Sequence, residues 1–167
     1  MRVYLPATIG MLRELVAKDE FLPLNGTGFA LTPALRESYT SGSTEELEYV
    51  AQLDAARASL RLIAADLEGE ETVTPRRAVI AADVDDVEQR PDLDNAVVRV
   101  SGPIPMSAVA SVHVDGADAE DAVLAAAKVV DAADLGDLDA EFAIGDAEDH
   151  ELAWYAPQEL PFLLELL

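Results

Sequence analysis

The tetrad Ser43-Thr44-Glu45-Glu46 constrains this chain more than any other feature. A Ser followed three residues later by Glu forms a capping box, in which each side chain satisfies the other residue's backbone amide at a helix start. Behind it Leu47, Val50, Leu53, Leu60, Ile63 and Leu67 recur at three-, four- or seven-residue intervals until Gly69, which predicts a helix over 45–67. A helix that long with an apolar stripe must bury the stripe against another element. The apolar, β-branched segments 78–82 and 96–101 read as strands able to meet it. The expected fold is α/β, with α+β as its variant: a mixed sheet of about five strands flanked by helices. The long helix lies across one face, and Leu60 and Val98 belong to the shared interior.

The remaining punctuation fits one domain over 1–167, with a helix-rich first half (1–69) and a strand-rich second half (75–167). Val3–Leu5 reads as a strand, and Thr8 can cap a helix carrying Ile9, Leu12, Leu15 and Val16. Asn25-Gly26-Thr27-Gly28, between apolar segments 21–24 and 29–31, suggests a tight hairpin or loop. Thr32-Pro33 starts a short helix. Segment 68–74 is a polar linker, and 83–95 an acidic loop joining two strands. Then come a turn at 105–109, a strand at 111–115 and an Ala-rich helix over 118–133 stopped by Gly136. A minor strand is expected at 142–144, a polar loop at 145–150, a last strand at 152–156 and a C-terminal helix from Gln158. Tyr4-x-Pro6 before Leu12-x-Glu14-Leu15 matches Tyr155-x-Pro157 before Leu163-x-Glu165-Leu166, so each Pro is expected where a strand stops and a helix begins.

Half the residues are hydrophobic although the net charge is −22, so the chain lies outside the disordered regime. It has no Cys, which excludes disulfides, thiolate nucleophiles and Cys-held metals. The N-terminus lacks the pattern of a signal peptide and no segment has the length of a membrane span, so a cytoplasmic location is expected. The acidic field repels nucleic acid and anionic membrane; it suits a basic protein partner or a mimic of nucleic acid, or reflects an acidic, Lys-poor bias of the whole proteome. It is densest between Asp115 and Glu151, where Lys128 is the one Lys or Arg.

Ligands of open α/β sheets gather at the carboxyl ends of strands, which directs attention to Thr8, Asp83, Ser101, Asp115 and Pro157 if their strands share a direction. The crevice candidates are Tyr4, Thr8, His113, Asp115 and Tyr155. His113 and His150, with Asp115 and Asp149, suggest a metal site, but their spacing matches no ligand motif, and the acidic run 145–151 lacks the spacing of an EF-hand loop, so no cofactor is assigned. Trp154 and Tyr155 should point to opposite sheet faces, one into the core. Gly26-x-Gly28 lacks the rest of a phosphate loop, no GxSxG occurs, and Arg76-Arg77 is expected to serve the acidic surface.

The stretches VYLPAT, TPALRESY, AARASLRL, VSGPIPMSAVASVHVD and GDAEDHELAWYAPQELPFLLEL resemble an uncharacterised family of small actinobacterial proteins over nearly the whole chain. The resemblance implies an actinobacterial source, one domain and a cytoplasmic location. It brings no activity, cofactor or catalytic residue. The two functional expectations are a non-enzymatic interaction or regulatory protein with an acidic surface, and a small enzyme or metabolite- or metal-binding protein using a crevice near His113, Asp115 and Tyr155.

Overall fold

Strand β1 (Arg2–Ala7) is buried on both faces, and that double burial organises the molecule. A computed structural model describes residues 1–69 and 72–167, so Glu70 and Glu71 of the expected 68–74 linker lie outside the described residues. After β1 the chain forms α1 (Ile9–Lys18), β2 (Glu20–Phe21), β3 (Thr27–Phe29), α2 (Pro33–Glu37) and α3 (Thr44–Glu68). Then follow β4 (Ala78–Asp83), β5 (Val87–Gln89), β6 (Val97–Val100), β7 (Ile104–Pro105) and β8 (Val109–Val114). The last elements are α4 (Glu120–Asp134), α5 (Leu138–Glu148), β9 (Ala153–Tyr155) and α6 (Leu160–Glu165).

The fold is α+β, with a sheet of seven strands rather than about five, in the order β5-β6-β3-β1-β4-β8-β9. Neighbouring strands run antiparallel. Residues alternate between faces at the strand period of two. Val3, Leu5 and Ala7 join Ile80, Val98 and Val112 on one face, which α1 and α6 cover. Tyr4 joins Phe29, Val79, Ala81 and Val97 on the other, beneath α2 and the first half of α3. The second half of α3 carries Leu60 and Ile63 into a separate apolar cluster with α4 and α5. Leu60 and Val98 are both buried, as the sequence implied.

Local chemistry explains the main elements. Ser43 and Glu46 form the reciprocal capping box of α3, with the Glu46 amide 3.2 Å from the Ser43 hydroxyl. Ala51, Ala55 and Ala56 line its sheet side, so the helix approaches closely and Leu53 is left exposed. Ser59 pins it there by donating to the Ala7 carbonyl at 2.7 Å and accepting from the Ala78 amide at 3.1 Å. Gly28 allows a second close approach, since a Cβ there would stand 2.6 Å from Val3 Cγ1.

Several expectations are corrected. Segment 25–28 is not a hairpin: β2 pairs with β7, while β3 pairs with β1 and β6. Loop 83–95 contains β5, whose three residues are too few to show alternation. Pro6 lies inside β1 rather than at its end, and having no N–H it coincides with a β1–β3 ladder reduced to Tyr4↔Phe29. Residues 142–148 are neither strand nor loop, for α5 runs from Leu138 to Glu148, and of the expected loop Asp149 and His150 lie outside it. Its cap is Asp137, which accepts from the Ala140 amide at 2.9 Å, and its inner face is Ala140, Ile144 and Ala147 at helical spacing.

Replacing Ser59 by Ala strands the Ala78 amide and the Ala7 carbonyl in the interior. Urea unfolding of Ser59→Ala should show a stability loss of about 1–3 kcal/mol with an unchanged denaturant slope.

Candidate functional site

On the α3 side of the sheet, β8 presents Ser111 and His113, and Asp115 follows in the same alternation; β4 presents Val79 opposite His113 and Ala81 opposite Ser111, with Arg77 leading into it. Beside this floor, between α3 and the segment entering β9, opens a cleft of about 150 Å³ lined by Tyr49, Gln52, Leu53, Arg77, Glu148 and Leu152.

Arg77 is the buried charge of this region. Its Nε and Nη2 donate to the two Asp115 carboxylate oxygens at 2.8 Å each, and Nη2 also donates to the His150 carbonyl at 2.8 Å. The backbones join in: the Arg77 amide donates to Asp115 Oδ2 at 2.8 Å and the Asp115 amide donates to the Arg77 carbonyl at 3.1 Å. Both side chains are sealed from solvent, at 3% and 0% exposure. A bidentate, fully hydrogen-bonded pair is the arrangement in which burying two charges is tolerated. Arg77 therefore does not serve the surface, as the sequence suggested, whereas Arg76 pairs with the partly exposed Glu120 at 2.8 Å. Asp115 accepts three bonds from Arg77 and is a structural partner, not a free base.

His113 Nε2 lies 3.0 Å from the Ser111 hydroxyl. Burial, with a smaller contribution from the positive charge of Arg2, holds its pKa below the usual histidine range. A neutral imidazole beside a hydroxyl is half of a nucleophilic pair, but such chemistry also needs substrate to reach the oxygen. Ser111 is only 6% exposed, so the contact orients the ring.

The other candidates are dispersed. β1, β6 and β8 share a direction that β4 and β9 oppose, so Thr8, Ser101 and Asp115 occupy one end of the sheet, and Asp83 and Pro157 the other. Thr8 is buried and its hydroxyl caps α1, accepting from the Met11 amide at 3.2 Å. Tyr4 is buried on the α3 face, where burial and the nearby Glu48 raise its pKa. Tyr155 stands opposite Val112 and packs into the α1–α6 face, away from His113. Its neighbour Trp154 is opposite His113 and 60% exposed. His150 Nδ1 faces Asp118 at 3.9 Å and Asp149 is the exposed end of α5, so neither joins His113. Among the described residues no three His, Asp or Glu side chains gather as a metal site.

Sequence reading missed Arg77 and the α3–α5 wall. Tyr49 and Leu53 sit one turn apart and both are exposed, a pairing that the core-stripe reading of Leu53 concealed. Across that wall α3 and the α4–α5 hairpin are clasped by ions: Arg57 reaches Asp134 at 3.0 Å and Glu141 at 2.9 Å, and Arg61 reaches Asp134 at 2.7 Å. Hydrogen bonds from Arg61, then the charges of Arg61 and Arg57, hold the Asp134 carboxyl below its ordinary range.

Removing one partner of the buried pair leaves the other charge unpaired, so Asp115→Ala should lose about 3–5 kcal/mol in denaturant unfolding. His113 gives a pH dependence of known sign. Its folded pKa is below the unfolded value of 6.5, so below that pH the unfolded chain binds a proton that the folded chain resists. Its contribution is complete above pH 6.5 and declines as the pH falls towards the folded pKa. Melting temperatures measured across that window should fall less steeply for His113→Gln than for the parent.

Among the described residues no helix is long and apolar enough to cross a membrane. No curated protein and no solved structure matches the chain. A family model does, over residues 1–164, and the chain therefore belongs to DUF6912, a family of unknown function.

Proposed function

We propose that this protein is a non-enzymatic interaction or regulatory protein of the actinobacterial cytoplasm, whose acidic surface engages a basic protein partner. The observation that carries this reading is the placement of its cations. Arg2, Arg57, Arg61, Arg76, Arg77 and Arg90, six of eleven basic side chains, are held in ion pairs within the molecule. Each pair takes a carboxylate with its cation, so the net charge of −22 is carried by carboxylates outside these pairs, and they set the sign of the outward field. Such a field steers a cationic partner and rejects polyanions, which is why nucleic acid and anionic membrane are not the proposed ligands.

The alternative is a small enzyme or metabolite binder near His113, Asp115 and Tyr155. It has weaker support, because Asp115 is saturated by Arg77 and Tyr155 lies on the opposite sheet face.

The intact protein, immobilised and exposed to lysate at low salt, should retain one basic protein that elutes as ionic strength rises past roughly 0.3 M. Retention that ignores salt, or a metabolite that raises the melting temperature while no cationic protein binds, would overturn the reading.

A further inference from the structure

Helix α5 buries small side chains and exposes large ones. Ala140, Ile144 and Ala147 pack inward, while Leu138 and Phe142, one turn apart, are 77% and 75% exposed. Leu135, in the turn joining α4 to α5, is 90% exposed. Single exposed apolar residues are ordinary, but three on one hairpin tip form a patch. Asp131, Asp137, Asp139, Asp146 and Asp149 are exposed on the same hairpin. Of the nearby cations, Arg57 and Arg61 hold Asp134 and Glu141, and Lys128, on α4 itself, lines one depression with Asp131, Ala64 and Leu67, so the carboxylates left for a ligand are those of α5 and its cap.

We infer that the α4–α5 tip is the docking element and that it takes a cationic amphipathic segment of the partner. The segment's apolar side chains seat on Leu135, Leu138 and Phe142 while its Lys or Arg residues meet the surrounding carboxylates. This deepens the acidic-surface reading and rests on it. A second copy of this chain fits poorly, because joining two such tips places like charges together. Phe162 on α6 and Leu166 just after it are also exposed, but there Arg13 lies alongside, donating to the Leu164 carbonyl at 3.3 Å, so the surround is of mixed sign.

The test uses the full chain, a labelled Leu/Lys peptide with one apolar helical face, and a scrambled peptide of the same composition without that face. Fluorescence anisotropy should show salt-sensitive binding of the first peptide and weaker binding of the second. The double variant Leu138→Ser/Phe142→Ser should lose roughly tenfold or more in affinity, while Phe162→Ser, an exposed apolar change elsewhere, should bind as the parent does. Circular dichroism on both variants confirms the fold. If the double variant, or the scrambled peptide, binds as tightly as the parent pairing, the tip is not the docking element although the acidic-surface reading stands. If neither peptide binds in a salt-sensitive way, both readings fail. A parent dimer in sedimentation that the double variant dissolves would assign the tip to a second copy and overturn the inference.

Discussion

The buried pair of Arg77 and Asp115 is the interaction on which the rest of the structure depends. It closes the end of the β4–β8 ladder with both side-chain and backbone hydrogen bonds, and it reaches beyond the sheet to the His150 carbonyl. That carbonyl lies between the end of α5 and the start of β9, so one guanidinium fixes where the helical hairpin leaves off and where the edge strand begins. Two ions cannot be withdrawn from water without such complete pairing, because the desolvation penalty otherwise exceeds their attraction. At the residue after Arg77, Ser59 fastens α3 to β1 and β4 by the same logic with a neutral group, bonding the Ala78 amide and the Ala7 carbonyl.

A second level of organisation follows from how few cations the chain has. Arg57 and Arg61 are not scattered over the surface but converge on Asp134 and Glu141, joining α3 to the α4–α5 hairpin. Partly exposed pairs of this kind contribute little each, though shared partners make a network that fixes orientation. Locally this neutralises carboxylates that face α3. The carboxylates on the other side of the hairpin have no such partners in the ion pairs described here, and the exposed Leu138 and Phe142 stand among them.

The sequence made α3 legible because capping, length and apolar spacing agree over 25 residues. It made β4, β6 and β8 legible because their β-branched content and burial coincide. Helix α5 was illegible as a helix because its large apolar residues face outward and its inner face is mostly Ala, so the hydrophobic signal pointed to the wrong residues. Asp137 as cap, followed by Ala140, Ile144 and Ala147, was the signal present. Arg77 could not be placed because its partner is 38 positions away and they meet only through the β4–β8 register. The crevice candidates failed to assemble for a related reason: strand direction decides which ends are neighbours, and neither Thr8 nor Tyr155 carries a local mark of it. His113 and Asp115 share a face because they are two residues apart on one path, which sequence does show.

We propose that arginines held in ion pairs within the molecule leave a hairpin whose apolar tip and carboxylates act together on a basic partner. Amide chemical-shift mapping during titration with a cationic amphipathic peptide tests it most directly, since it locates contact without altering the protein. Perturbations confined to residues 131–149, with β4 and β8 unmoved, are the expected result. Perturbations spread evenly over the acidic surface, or centred on the cleft beside Tyr49 and Leu152, would contradict it.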